Sequence, residues 1–146
     1  MMKLKLTKVL KTYVSVVLVS AFLIGGIASA AGDSSTKISF RNITVSRGST
    51  SLVQNKASKA KENADAEITL NTAVSNNDQI SAYLVNISGT IASKESAEFR
   101  GTASGTTKKI PYRSGAGVKG DWFRVVISLS QSSLSAQVTV DGSFAP

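Results

Sequence analysis

The chain has 146 residues, 42% of them hydrophobic, with seventeen Lys and Arg against nine Asp and Glu, for a formal charge of +8 at pH 7. It contains no histidine and no cysteine. Their absence excludes Ser-His-Asp and Cys-His catalysis, histidine- or thiolate-held zinc, redox pairs and disulfides, so a hydrophobic core has to hold the fold together.

Residues 1–30 read as a cleavable secretory signal. Lys3, Lys5, Lys8 and Lys11 form a positive n-region, an apolar run spans about residues 13–27, and Ala28-Ser29-Ala30 offers the small residues of a peptidase site. The apolar run is short for a bilayer span, which needs about 20 residues. Cleavage before Ala31 is expected, with no stable membrane span afterwards. The signal holds four of the seventeen basic residues and no acid, so the exported chain carries thirteen against nine, or +4. That excess suits wall polymers or anionic lipid headgroups as partners, or simple solubility. The style of the signal and the missing cysteines point to a Gram-positive bacterium and a secreted, extracellular or wall-associated product.

Residues 31–36 are small and polar, as in a flexible leader, and 37–146 form the expected domain. In Lys37–Ser46, Ile38 and Phe40 share one phase and Ile43 and Val45 the other, so a β-bulge at Arg41-Asn42 would reset the register. A turn at Arg47-Gly48-Ser49 leads to a short strand near Ser51–Gln54. Residues 55–65, NKASKAKENAD, have almost nothing large to bury. They read as an exposed loop or hairpin tip, with a short helix as the alternative and Lys56, Lys59 and Lys61 as a solvated basic face.

Residues 64–74 alternate as a strand, with Ala64, Ala66, Ile68, Leu70, Thr72 and Val74 on one side. A turn at Asn76-Asn77-Asp78 precedes Gln79–Ser88, which is apolar on both faces and so suits a central strand. Glu98-Phe99-Arg100 predicts a short strand, and Lys109–Arg113 an edge strand, because Pro111 cannot donate to a ladder. The most regular stretch is Gly120–Gly142. Phe123, Val125, Ile127 and Leu129 share a face, as do Leu134, Ala136, Val138 and Val140, with Gln131-Ser132-Ser133 between. It reads as a β-hairpin. The pattern as a whole predicts an all-β fold: a single antiparallel sandwich or small barrel of about 7–8 short strands behind the signal helix.

Catalytic chemistry is poorly supported. A Ser-Lys dyad or a pair of carboxylates is conceivable, but the acids are scattered, and Glu95 and Glu98 read as surface charges. Gly115, Gly117 and Gly120 satisfy G-x-G-x-x-G, yet a strand follows them where a dinucleotide site needs a helix. A β-β connection with positive φ explains these glycines better. No D-x-D-x-D run suits calcium. No catalytic residue, metal ligand or cofactor is therefore assigned, and no basic stripe suits nucleic acid. The remaining constellation is Tyr112, Arg113, Lys119, Trp122 and Arg124 around the glycine loop. With Phe123 inward, Trp122 and Arg124 point the other way and could meet a sugar ring or a lipid interface. A second layer packed over Trp122 is the competing reading.

The C-terminal third also carries a resemblance. Tyr112-Arg113 beside Gly115 and Gly117, Lys119-Gly120 before a strand, and a closing Gly142-x-Phe144-x-Pro146 are similar to small secreted Gram-positive proteins associated with bacteriocin-type ABC exporters. In general character the chain resembles the lactococcin-972-like bacteriocins. Phe144 stands where that pattern would have Trp. The resemblance implies a secreted, non-enzymatic β-sandwich acting at or outside the cell envelope, bacteriocin-like or part of an export and immunity system. The alternatives are a carboxylate- or Ser/Lys-dependent hydrolase, and a structural subunit assembling through edge strands.

Overall fold

The computed structural model describes residues 37–146, so the signal and leader expected over 1–36 lie outside the described residues. Within them the fold is all-β: β1 Ile38–Ser46, β2 Thr50–Leu52, β3 Ala57–Ser58, β4 Ala66–Leu70, β5 Ile80–Asn86, β6 Ala97–Phe99, β7 Thr106–Ile110, β8 Trp122–Leu129 and β9 Gln137–Ala145. Every strand pair among these is antiparallel, and the strands form two sheets. One has the order β1-β9-β4-β7, the other β2-β8-β5-β6 with β3 also on β8. The architecture is the expected sandwich.

The inner faces follow from strand alternation. Ala66, Ile68, Leu70, Val140 and Phe144 are inward on the first sheet; Ile80, Ala82, Leu84, Phe123, Val125 and Ile127 are inward on the second. All belong to one buried cluster with Phe40, Val45 and Phe99. The cluster gives these residues a self-contained core with no help from disulfides. The bulge in β1 falls where the phase of its apolar residues changes, between Phe40 and Ile43, and Asn42 takes φ 55° there. The extra residue lets Ile38, Phe40, Ile43 and Val45 all face inward despite the odd spacing. Opposite Phe40 stands Gly142, where a Cβ would run into Thr69 O and the Phe40 ring. Glycine is needed at that point for close approach, not for a turn.

Gly120–Gly142 is not a hairpin. β8 lies between β5 and the β2/β3 strands in one sheet, whereas β9 lies between β1 and β4 in the other. Alternation on each arm requires only that one face be buried, and facing sheets satisfy that as well as paired strands do. Both edges of each strand are already taken, so the two arms meet across the core. The connection crosses from one sheet to the other. Leu134, expected in the core, is 70% exposed on that crossing, and Ala136 is exposed too.

The crossing is anchored by polar groups. Asp78 is buried and accepts hydrogen bonds from Ser75 Oγ (3.0 Å), Ser135 N (2.9 Å) and Ser135 Oγ (2.7 Å). The bonds from Ser135 do most to hold the Asp78 carboxyl below its ordinary value, and burial opposes them. Arg47 donates to the Leu134 and Ser135 carbonyls from the other side.

Residues 55–65 form no helix. β3 pairs with the start of β8, and Lys59 is buried rather than solvated. Its ammonium donates to the Ala64 carbonyl and lies 4.1 Å from the Tyr112 ring centroid. A lysine has four methylenes, so the segment does bury something large once that stem is counted. The strand expected over 64–74 is confined to Ala66–Leu70, with Val74 only bridging Thr102.

Candidate binding face

The outer face of the β2-β8-β5-β6 sheet is where the unabsorbed chemistry collects. Opposed strand residues share a face, so its composition can be read in rows. Leu52, Val126 and Tyr83 form one row through the pairs Leu52↔Val126 and Tyr83↔Val126. Ile91, Val85 and Arg124 form the next, through Val85↔Ile91 and Val85↔Arg124. Trp122 faces outward at the end of β8, opposite Ser58. Three of these side chains are well exposed: Trp122 at 45%, Ile91 at 43% and Leu52 at 38%. Water-facing sheet surfaces ordinarily alternate toward polar residues. Here the far row, Thr50, Ser128, Ser81 and Glu98, is polar, but the rows toward the Trp122 end are largely apolar, with the Arg124 guanidinium among them.

The cations on the face are poorly neutralised. Arg124 is half-buried, and its Nε is enclosed with no hydrogen-bond partner. Lys56 Nζ sits 5.1 Å from the Trp122 ring centroid. The acid on this face, Glu98, is already occupied by Ser81 Oγ (2.7 Å), Gln79 Nε2 (2.9 Å) and Ser96 Oγ (2.7 Å). Burial would raise its carboxyl, but those three donors outweigh it and hold it below the ordinary value. A cavity of about 250 Å³ borders the face, lined by Tyr83, Ile91, Ser93, Lys94, Glu95, Ser96 and Arg113.

Of the five residues singled out from the sequence, the structure places Trp122 and Arg124 on this face. Arg113 reaches the bordering cavity and donates from Nε to the Ser93 carbonyl at 2.9 Å. Lys119 is exposed on the glycine loop. Tyr112 turns the other way. Its ring packs on the inward Phe123, with centroids 5.2 Å apart, and its hydroxyl is enclosed without a partner. Burial first, then Asp121 and Asp65, push that hydroxyl far above its ordinary value, while burial pushes the Lys59 ammonium down against Asp65 and Glu62. Alternation explains the split: Tyr112 and Arg113 are neighbours in sequence and project to opposite sides.

The glycine loop is the β-β connection expected. Gly115, Gly117 and Gly120 all have positive φ, and a Cβ at Gly117 would collide with the Tyr112 ring. The cavity beside it, about 310 Å³, is lined by residues 63–65 and 112–117. The aromatic ring in its lining is covered by Gly117, Phe123 and the Lys59 ammonium, so it offers no stacking platform. Sequence reasoning missed Tyr83, Leu52, Lys56 and Ile91 as members of the outer face. The apolar character of both sides of Gln79–Ser88 was the available signal. The others lie in short or irregular segments whose pairing partners sequence does not reveal.

Among the described residues, no group of three or more acids could hold a metal ion, and no helix is long and apolar enough to cross a membrane. No family model matches the chain, and no curated protein does. Among solved structures, that of T=1 particles derived from infectious bursal virus is 18% identical, over 76% of this chain and 28% of that one, with a TM-score of 0.32. The chain thus spans well under half the length of that capsid protein, and so low a score carries no argument about fold or role.

Proposed function

We propose that the protein is an exported, non-catalytic β-sandwich that works by binding at the cell envelope, through the outer face of the β2-β8-β5-β6 sheet. The observation that carries this reading is the composition of that face: an exposed Trp122 among aliphatic side chains, with Arg124 and Lys56 lacking acidic partners. Apolar surface left in water costs free energy, and a face that keeps it on a rigid sheet fits a binding role. The signal-like N-terminus and the resemblance to exporter-associated and lactococcin-972-like proteins support an extracellular or wall-associated setting and a bacteriocin-like role. Wall polymer and anionic lipid are both suitable partners for such a face.

The edges of the sheets weigh against the reading as an assembling subunit. β1 is bulged, β6 has three residues, and β7 carries exposed Lys108 and Lys109. Each of these features discourages strand addition. Hydrolysis is no better served, because the Ser135, Ser75 and Ser81 hydroxyls near acids hold those carboxylates in place as structural donors.

The test is retention of the exported chain, residues 31–146, on purified cell walls and on anionic liposomes at physiological salt. Retention on at least one, weakened by Trp122→Ala or Arg124→Gln, is expected. No retention on either would overturn the proposal.

A further inference from the structure

We infer that the partner is an anionic lipid bilayer, met by the end of the sandwich that carries Ile87, Val118 and Trp122. This rests on the envelope-binding reading and names its partner. Of the six large hydrophobic side chains exposed among the described residues, Leu134 and Leu52 lie elsewhere and the other four cluster. Ile87 (58%), Ile91, Val118 (47%) and Trp122 fall on two segments, 87–91 and 118–122. Pairing brings the segments together: Asn86 at the end of β5 lies opposite Phe123 at the start of β8. Ile87 therefore follows directly beside the Trp122 end of the sheet.

Both tips are held in shape. The Asn86 backbone N donates to the Thr90 carbonyl at 2.9 Å, and Asn86 Oδ1 accepts from the backbone N of Ser88 and of Thr90. Asp121 N closes the other turn on the Val118 carbonyl at 3.1 Å. Ile87 and Val118 are thus presented on hydrogen-bonded turns, so little ordering entropy is lost when they enter another phase. The cations lie behind them. Lys56 extends over Trp122, Lys119 follows Val118, and Arg124 is one outward position along β8 from Trp122. Long basic side chains can reach headgroup phosphates while their stems stay against apolar surface, and an indole sits well at that depth. The acids near this end are Asp121, next to Trp122 in sequence, and Asp65 and Glu62, which face the buried Lys59; Lys56, Lys61, Lys119 and Arg124 outnumber them.

Charge complementarity favours an anionic surface, and the aliphatic tips favour lipid over sugar. A glycan platform needs polar side chains around an aromatic ring to bind hydroxyls. Here the polar neighbour of Trp122 on the face is the short Ser58 opposite it, the other outward groups near it are aliphatic or cationic, and the Lys56 ammonium already lies over the indole. A bilayer uses both features at once.

Trp122 is the sole tryptophan of the chain, so its emission reports this end alone. The experiment uses residues 31–146, whose core is self-contained, because the apolar signal would bind lipid by itself. The probes are vesicles of phosphatidylglycerol and phosphatidylcholine, vesicles of phosphatidylcholine alone, and purified wall polymer free of lipid. The expected result is co-sedimentation and a blue-shifted Trp122 emission with the mixed vesicles, reversed by salt and weaker with neutral ones. Ile87→Ser and Val118→Ser each lower the vesicle partition coefficient several-fold while circular dichroism stays unchanged. Lys119→Gln lowers it about fivefold, the worth of one basic residue near an anionic surface. Vesicle binding without an emission shift, or unaffected by the tip variants, overturns the inference. Binding to wall polymer but not to vesicles also overturns it and leaves the envelope reading standing. Binding to neither removes both.

Discussion

Removing the Asp78 carboxylate should loosen the crossing between β8 and β9. In Asp78→Ala, Ser75 Oγ, Ser135 N and Ser135 Oγ lose a shared charged acceptor in a buried position. A hydrogen bond to a charged group contributes about 1.5–3 kcal/mol net. The two bonds from Ser135 come from one residue, so the three are counted as two tethers, for a loss of about 3 kcal/mol. Urea unfolding at pH 7, followed by circular dichroism, measures it. Ser135→Ala deletes only the hydroxyl and should cost about 1 kcal/mol. A double-mutant cycle with Asp78→Ala should then show coupling of about 1 kcal/mol, because the backbone bond remains in one arm only. The pH dependence has a defined sign. The folded carboxyl is held below its ordinary value, so its contribution is intact above the unfolded pKa of about 3.9 and is lost as pH falls through the lower folded value. In Asp78→Asn that part of the acid limb should disappear. A loss under about 0.5 kcal/mol in Asp78→Ala, the range of an ordinary surface change, would refute the anchoring role.

Three further outcomes are expected. Leu134→Ser should change stability by under about 0.5 kcal/mol, because Leu134 stands exposed on the crossing; as a core position it would cost about 2–5 kcal/mol, and chemical denaturation separates the two. Gly117→Ala should destabilise by about 1–3 kcal/mol, since its φ of 76° disfavours a Cβ and the Tyr112 ring blocks one; a lowered melting temperature checks this. Burial depresses the Lys59 ammonium, so the unfolded chain binds more protons between that folded value and about 10.4, and stability should rise with pH across the window. Lys59→Met should remove that rise, read from denaturation midpoints at successive pH values.

Local pattern carried the fold class and much of the detail. The β1 bulge was legible because Ile38-Phe40 and Ile43-Val45 are out of phase, and β5 as an interior strand because both its faces are apolar, Ile80, Ala82 and Leu84 on one and Tyr83 and Val85 on the other. Partner choice was not legible. The arms Phe123–Leu129 and Leu134–Val140 satisfy alternation whether they pair edge to edge or face each other, and only the strands that arrive from elsewhere decide. The same limit hid part of the apolar outer face. Trp122 and Arg124 could be placed outward from Phe123 alone, but Lys56, Leu52 and Ile91 join them through pairings between distant segments. Lys59 misled for another reason: its charge marks it for solvent, while its long stem, a carbonyl and an aromatic ring let it stay inside.

The place of β9 has a consequence for when the fold can close. β9 separates β1 from β4, so the first strand of the sandwich has no partner in its own sheet until the last strand is present. Loop closure between them spans nearly the whole domain, and such pairings form slowly. The order of strands thus leaves that sheet open until Gln137–Ala145 is available to pair, so its closure is the last event in building the sandwich, whatever order the chain is delivered in from its N-terminus.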